Sequence, residues 1–169
     1  QGGLATNHSI GGVQRTIEIS PGYREHRSVN PFHDLASIPQ MLFDVPNVAI
    51  SSWLRLWPPD GLQDLLTDAD LVLVEQPLQF PGVNDLAGET PVIYSSHNVE
   101  TERLVSLRNR PLGRRIYESL QAIERRAVRE SAGVVCTSEA DLETFREMFD
   151  ADGPFHVAPN ATYADQVVE

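Results

Sequence analysis

Polar side chains follow two apolar runs in the middle of the chain, where a catalytic or binding site could form. Residues 71–74 lead into a polar pair at 75–76, and residues 91–94 lead into a polar stretch at 96–98. Short apolar runs bounded by Asp or Pro are typical of strands buried on both faces of a parallel sheet. Ligands of open α/β sheets bind outside the carboxyl ends of such strands. The sequence therefore predicts a site where these two strands end.

His97 is the residue of this region best suited to chemistry. An imidazole exchanges a proton near neutral pH, so it can polarise or deprotonate a hydroxyl group. The alternative is a histidine that only satisfies the backbone of its own loop. Asn98, Glu75 and Gln76 are candidate substrate contacts, with a solvated loop as the alternative for the last two. Glu100 is more typical of the start of a helix.

The chain lacks groups that several enzyme classes need. All 13 basic residues are Arg, which excludes the lysine of a P-loop, a Schiff-base enzyme or a protein kinase. The glycine fingerprint of nicotinamide dehydrogenases does not occur. Cys136 lies in an apolar run and is predicted to be a buried structural thiol. No metal site is predicted, because the other histidines have no ligand spacing: His8, His26, His33 and His156.

Charge is distributed unevenly along the chain. The net charge is −11, a field that opposes nucleic-acid binding. Residues 103–129 nevertheless carry eight Arg and two acids, a local balance of +6. Arg114, Arg115 and Arg125 belong either to a solvated helix face with ion pairs or to a basic patch that meets anionic lipid or a lipid-phosphate acceptor at the membrane surface. A peripheral membrane contact through these three residues is the second of these hypotheses.

Hydrophobic spacing predicts the elements that hold these residues. Ser138 with Asp141 three residues later predicts a capped helix start. Trp53 and Trp57 are predicted to share a helix face and to pack in the core, with a wall on the acceptor side as the alternative. A following helix is predicted to turn Leu62, Leu65 and Leu66 inward. The strongest helical pattern covers residues 112–130, with an inner face made of Leu112, Ile116, Leu120, Ile123 and Ala127.

The order of these elements predicts the fold class. Thr16–Ser20 alternates like a short strand with one wet face. From about residue 70 the order is strand, short helix, strand, long helix, strand, helix, strand. Such alternation predicts an α/β domain with a mainly parallel sheet, right-handed crossovers and helices on both faces.

Four segments together resemble a known protein family. They are Ser95-Ser-His-Asn-Val-Glu100, the long helix with Glu124, the stretch Val-Cys-Thr-Ser-Glu-Ala-Asp at 135–141, and Val-Ala-Pro-Asn at 157–160. Their order is similar to the N-terminal half of a family 4 glycosyltransferase of the GT-B fold. The resemblance implies a Rossmann-like three-layer domain that faces a second such domain across a cleft.

The resemblance also implies a function. Such enzymes move a sugar, usually a hexose, from a nucleotide-sugar to a glycan, lipid-linked or small-molecule acceptor, with retention of configuration. His97 would face the cleft and orient or activate the acceptor. The nucleotide-sugar would bind mainly to the second domain, so we expect this segment to bind no cofactor and to transfer no sugar alone. We expect a cytoplasmic protein, at the inner membrane face if the basic patch meets lipid.

Domain boundaries follow from the same resemblance. Residues 1–160 would form the acceptor-side domain, and residues 161–169 would begin the linker to a C-terminal donor-binding domain, with Asn160 at the hinge. The family pattern Pro-Asn-Gly-Val-Asp appears here as Pro159-Asn-Ala-Thr-Tyr-Ala-Asp165, which departs from it. A first strand with a glycine-rich acceptor loop is also expected, and Gly11-Gly12 matches it poorly. We therefore expect either a chain that begins after that strand or a partial gene product.

A rival hypothesis belongs to another class of protein. The chain could be a non-catalytic α/β binding module, or a truncated remnant that acts through a partner chain. Coding sequence beyond Glu169 with a second Rossmann pattern would favour the enzyme, whereas a stop codon there would favour the module.

Overall fold

The computed structural model describes residues 5–9, 12–29 and 46–160, with side chains described for 16–27 and 46–160. The strands are β1 (Ala5–Ser9), β2 (Gly12–Ser20), β3 (Tyr23–Val29), β4 (Val72–Val74), β5 (Val92–Ser96), β6 (Gly133–Cys136) and β7 (Phe155–Val157). The helices are α1 (Ile50–Leu56), α2 (Leu62–Thr67), α3 (Phe80–Leu86), α4 (Glu100–Arg103), α5 (Pro111–Glu130) and α6 (Glu139–Phe149), and a 3₁₀ turn covers Val105–Asn109.

Four parallel strands form the sheet that organises the second half of the chain. Their order in space is β4-β5-β6-β7, the same as their order along the chain. This arrangement of strands and connecting helices confirms the predicted α/β class with a Rossmann-like parallel sheet. In the described part of the chain, α3, α5 and α6 follow β4, β5 and β6 in turn, and α3 and α6 contact β5 and β6 at a face of the sheet.

The hydrophobic core lies between that face and its helices. Side chains alternate along β5, where Val92, Tyr94 and Ser96 are buried and the residues between them are half-buried. Tyr94 packs edge-on against Phe145 of α6, with ring centroids 6.1 Å apart. The prediction that the strand at 71–74 is buried on both faces is wrong for Leu73, which is 61% exposed on the opposite face. The described strands leave β4 at an edge, so its second face lacks a layer of helices there.

An antiparallel sheet precedes the parallel one. In β2 the sequence-predicted strand at Thr16–Ser20 is confirmed, although it begins earlier, at Gly12. It pairs with β1 on one side and with β3 on the other. The sequence analysis did not predict β3, because its residues, Tyr-Arg-Glu-His-Arg-Ser-Val, have no alternation of apolar and polar side chains.

The long helix α5 confirms its predicted extent but not the whole of its predicted inner face. Leu112 is 70% exposed, whereas Gly113, Tyr117 and Glu124 are buried. The first turns of the helix pack against the 3₁₀ turn rather than against the sheet. A Cβ at position 113 would stand only 2.5 Å from the carbonyl oxygen of Leu107, so glycine permits this close approach.

Two further predictions about the core need correction. Trp53 and Trp57 do share a helix face, with ring centroids 5.0 Å apart, but Trp57 lies outside the core and is 54% exposed. Leu65 of α2 is 46% exposed, while Leu66 is buried as predicted. Both errors arise because the short helices α1 and α2 pack only a narrow stripe against their neighbours. The predicted linker at 161–169 lies outside the described residues.

Candidate functional site

The carboxyl ends of β4 and β5 bring two of the sequence-predicted site residues together. Val74 and Tyr94 are register partners in these adjacent parallel strands, so Glu75 and His97 emerge at the same edge of the sheet. The Nε2 atom of His97 lies 3.8 Å from Oε2 of Glu75. The two side chains are 49% and 70% exposed. Both groups are therefore accessible from solvent at the edge where ligands of α/β sheets bind.

The backbone around His97 is held by its neighbours, while the imidazole itself faces solvent. The hydroxyl of Ser96 donates to the carbonyl oxygen of Asn98 at 2.6 Å. The hydroxyl of Thr137, just after β6, donates to the carbonyl oxygen of His97 at 3.3 Å. The loop is thus fastened to its own strand and to the next one. The ring of His97 lies near the carboxylate of Glu75.

This arrangement has a defined chemical capacity. The separation of 3.8 Å exceeds a direct hydrogen bond, and both side chains are open to solvent. A hydroxyl-bearing molecule placed between the solvent and His97 would find a base for its proton and an anion that stabilises the resulting cation. Such a pair can orient or activate an alcohol.

The other sequence-predicted residues lie at the same edge without entering this pair. Gln76 and Asn98 are exposed, and their side chains make no hydrogen bond to another side chain within the described residues. Asn160 is also exposed, three residues beyond the end of β7. The structure thus brings Glu75 and His97 together and leaves Gln76, Asn98 and Asn160 open to solvent.

Glu124 supports the loop from below. It is fully buried in α5, and its two carboxylate oxygens accept from the backbone N–H groups of Glu100 and Thr101, each at 2.8 Å. These are first-turn donors of α4, which has no side-chain cap of its own. The hydroxyl of Tyr94 also donates to Glu124, at 3.3 Å. Glu124 therefore joins α5 to the chain that leaves β5.

The surroundings of Glu124 raise the pKa values of two side chains, Glu124 itself and Tyr94. Burial raises the pKa of Glu124 above its ordinary value, and the N–H bonds from Thr101 and Glu100 oppose part of that rise. Burial, together with the nearby charge of Glu124, raises the pKa of Tyr94 well above its usual range. The tyrosine consequently stays a neutral donor that stabilises the carboxylate.

The predicted helix cap lies at a third strand end, that of β6, and fixes the chain there. The Ser138 hydroxyl accepts from the backbone N–H of Asp141 at 3.1 Å and donates to the Asp141 carboxylate at 2.7 Å. The capping prediction is confirmed by this geometry. The cap fixes the chain that follows β6, from which Thr137 reaches the carbonyl oxygen of His97.

The partners of two motif residues could not be located from the sequence. Thr137 and Glu124 bond the backbone at 97 and at 100–101, and these bonds join residues 23 to 40 positions apart. Sequence spacing carries no signal for such contacts. A charged residue at a position of α5 where the helical period also buries Leu120 and Ala127 was the available clue.

Neither a metal site nor a membrane span is found in the part of the chain that the structure describes. Its His, Cys, Asp and Glu side chains form no group that could hold a metal ion. None of its helices combines the length and the apolar character needed to cross a bilayer.

Comparison with known proteins gives a match at the level of the family. The sequence model of Glycosyltransferase Family 4 matches residues 12–166. No curated protein and no solved structure matches the chain significantly. The matched range contains strands β2 to β7 and every residue of the edge described above.

Proposed function

The chain belongs to glycosyltransferase family 4, and we propose on this premise that it is the acceptor-side half of a retaining enzyme. That enzyme would transfer a sugar, of hexosyl type, from a nucleotide-sugar to a hydroxyl of a glycan, lipid-linked or small-molecule acceptor. The observation that carries the proposal is the position of His97, exposed at the carboxyl edge and 3.8 Å from Glu75.

In this proposal each edge residue has a separate role. His97 orients the acceptor hydroxyl or takes its proton, and Glu75 stabilises the charged imidazole. Gln76 and Asn98 contribute hydrogen bonds to the acceptor, for which their exposure leaves room. The backbone bonds from Thr137 and Ser96 hold the loop in place before the acceptor arrives.

The donor belongs to a second domain in this proposal. The nucleotide-sugar binds mainly to a C-terminal domain that follows a linker beginning at residues 161–169, and Asn160 lies at the hinge. Residues 1–169 would then bind no cofactor and transfer no sugar from UDP-, GDP- or ADP-sugars. Transfer by this segment alone would contradict the division of roles.

The role of His97 is tested by substitution in the longest form of the protein that transfers sugar. We expect His97→Ala and His97→Gln to lower kcat/KM by about 10² to 10⁴, the contribution of a positioned acid or base. Glu75→Gln should lower it less, since it acts through the imidazole. His156→Ala is the matched control, because His156 is also an exposed histidine of the sheet but stands within β7 rather than at a strand tip.

The possible outcomes separate the proposal from its rival. Equal activity of His97→Ala and His156→Ala would remove the catalytic role. Inversion of the anomeric configuration in the product, read by proton NMR, would remove the retaining mechanism. A protein that lacks any transferase activity yet binds a partner chain through this domain would establish the non-catalytic module instead.

Membrane contact through Arg114, Arg115 and Arg125 is a separate part of the proposal. Arg114 is 71% exposed although it pairs with Glu118, and Arg115 is exposed. Arg125 lies over the ring of Phe149 and stabilises helix packing as well. Arg114→Gln with Arg115→Gln should therefore reduce sedimentation with anionic vesicles more than Arg125→Gln. Equal sedimentation with neutral and anionic vesicles would contradict the contact.

A further inference from the structure

The first half of α5 extends beyond the edge of the sheet that holds His97. Glu124 marks the level of the strand ends, because it bonds the amides that follow β5. From Pro111 to Glu124 the helix rises about 20 Å at 1.5 Å per residue. Within the described residues, this segment packs against the 3₁₀ turn at Val105–Asn109.

A cavity of about 580 Å³ lies between that turn and the extended part of the helix. Its volume falls in the range of small-molecule sites. The walls are mainly polar and include Ser106, Arg108, Asn109, Arg114, Tyr117 and Gln121, together with one carboxylate, that of Glu118. The close contact at Gly113 sets the distance between the two walls, since any side chain there would meet the Leu107 carbonyl.

The charges of the cavity favour an anion. Arg108 stands with its guanidinium carbon 5.5 Å from the centre of the Tyr117 ring, which holds the cation in place. Within the described residues, no carboxylate forms an ion pair with Arg108. Arg114 pairs with Glu118, but that pair is exposed on both sides and is readily exchanged for a stronger ligand.

The surrounding sequence strengthens this selectivity. Residues 103–118 contain five Arg and one acid, a local charge of +4 in a chain whose net charge is −11. An anion is therefore repelled by most of the molecule and attracted to this region. Planar guanidinium groups match phosphate oxygens in pairs, whereas Ser, Asn and Gln side chains match hydroxyl groups.

We propose that this cavity binds a phosphate-bearing, hydroxyl-rich ligand, with the phosphate on Arg108 and Arg114. Its identification as the place of a phosphorylated acceptor rests on the proposed function, whereas the binding itself does not. The cavity is much larger than one phosphate group, so the neutral side chains contact the rest of the molecule. A soluble sugar phosphate and a phosphoinositide headgroup share this chemistry.

Binding is measured on the chain itself by NMR titration of its backbone amides. The probes are inorganic phosphate, glucose 6-phosphate and glucose, added to separate samples. We expect saturable shifts at the amides of the 3₁₀ turn and the first turns of α5, with glucose 6-phosphate tighter than phosphate and no saturation by glucose. Added salt should weaken the binding.

Substitutions identify the groups that hold the phosphate. Arg108→Gln and Arg114→Gln should each raise the Kd for glucose 6-phosphate by about tenfold or more, as expected for a lost charged hydrogen bond. Glu118→Gln should lower it, because it removes the competing carboxylate. Arg129→Gln is the control, an exposed arginine about 22 Å further along the same helix.

A sedimentation assay distinguishes a lipid headgroup from a soluble sugar phosphate as the ligand. It compares binding to phosphatidylinositol vesicles with binding to phosphatidylcholine vesicles. Binding to the vesicles alone assigns a headgroup, and equal binding of free glucose 6-phosphate assigns a soluble ligand. Both results support the site. Shifts without saturation, or equal affinity of wild-type, Arg108→Gln and Arg114→Gln chains, would overturn it. Either result leaves the His97 experiment unaffected, so the two proposals fail separately.

Discussion

Glu124 shows how one buried acid can take the place of a helix cap. Its carboxylate accepts the N–H groups of Glu100 and Thr101, which no side chain of their own segment satisfies. Buried donors that lose their acceptor cost about 1 to 3 kcal/mol each. The residue is therefore expected to be important both for stability and for the position of the chain after β5.

Substitution of Glu124 tests this role. We expect Glu124→Ala to lower the free energy of unfolding by about 3 kcal/mol or more, because two buried donors lose their partner. Glu124→Gln, which keeps one acceptor oxygen, should lower it by about 1 to 3 kcal/mol. Glu118→Ala on the exposed face of the same helix should change it by less than about 0.5 kcal/mol. Urea denaturation measures all three, and equal effects of Glu124→Ala and Glu118→Ala would contradict the role.

The raised pKa of Glu124 also predicts a dependence on pH. The folded state holds this proton more tightly than the unfolded state, whose pKa is near the ordinary 4.5. The part of the stability that comes from holding this proton is therefore fully present below pH 4.5 and is lost as the pH rises through the raised pKa. The Glu124→Gln chain lacks this loss, so its deficit relative to wild type should shrink as the pH rises from 4.5 through the raised pKa. A deficit that grows over this range would show a lowered pKa instead.

Cys136 offers a second test at the scale of one residue. Burial, assisted by the charges of Asp141 and Glu139, raises the pKa of its thiol to about 11. At pH 8 only about one thiol in a thousand is then the reactive thiolate. We expect Ellman's reagent to label Cys136 only as fast as the fold opens, and rapidly in denaturant. A Cys136→Ala chain with Ser119→Cys on the exposed face of α5 is the control for accessible thiols, and native labelling of Cys136 at its rate would contradict the prediction.

The elements are held together by a few close approaches between helices. Gly82 of α3 is buried against α1, and a Cβ at this position would stand 2.8 Å from Cβ of Leu54. Gly82→Ala would gain about 1 kcal/mol from helix propensity. It would lose about 1 to 3 kcal/mol from overpacking.

We therefore expect Gly82→Ala to destabilise the fold, although Ala is a better helix former than Gly. Gly153→Ala is the control, because a Cβ there meets nothing within 4 Å and the φ angle of Gly153 is not positive. The control should change the free energy of unfolding by less than about 0.5 kcal/mol. Thermal unfolding of the two variants decides the matter, and a more stable Gly82→Ala chain would show that α1 and α3 can separate without cost.

Helix α5 shows which elements can be predicted from a sequence. Its ends followed from Pro111, an uninterrupted helical period and Gly133 after it, which are all local signals. Its inner face did not follow in full, because half of the helix packs against the 3₁₀ turn rather than against the sheet. Leu112 fits the apolar period and yet is exposed, while Glu124 breaks it and is buried. Long-range packing explains the exposure of Leu112. The distant N–H groups of Glu100 and Thr101 explain the burial of Glu124.

At the scale of the whole molecule, charge is the feature to test. A net charge of −11 on a chain of this size makes the folded state repel itself. Salt shortens the Debye length from about 30 Å at 0.01 M to about 3 Å at 1 M and screens this repulsion. We expect the melting temperature to rise by about 2 to 4 °C over this range, equivalent to about 1 kcal/mol. An uncharged osmolyte at equal osmolality is the control, and a falling melting temperature would show that surface ion pairs dominate.

The parallel sheet and the Glu75–His97 edge were predictable because both depend on local signals. Apolar runs give the strands, and the handedness rule brings their carboxyl ends to one edge. The antiparallel sheet was only partly predictable, since β3 is polar and is recognised only once β2 lies beside it. The cavity lined by Arg108 was not predictable. It depends on how far α5 extends past the ends of the strands, and the sequence does not indicate where the helix lies relative to the sheet.

The attachment of α5 at Glu124 has a mechanical consequence. A helix of this length is stiff, and Glu124 joins it to the chain after β5, in addition to its contacts with α3 and α6. A displacement of its first half would be transmitted to Glu124, whose two N–H partners belong to residues three and four positions beyond His97. A ligand bound at the first half of α5 would thereby change the position of His97.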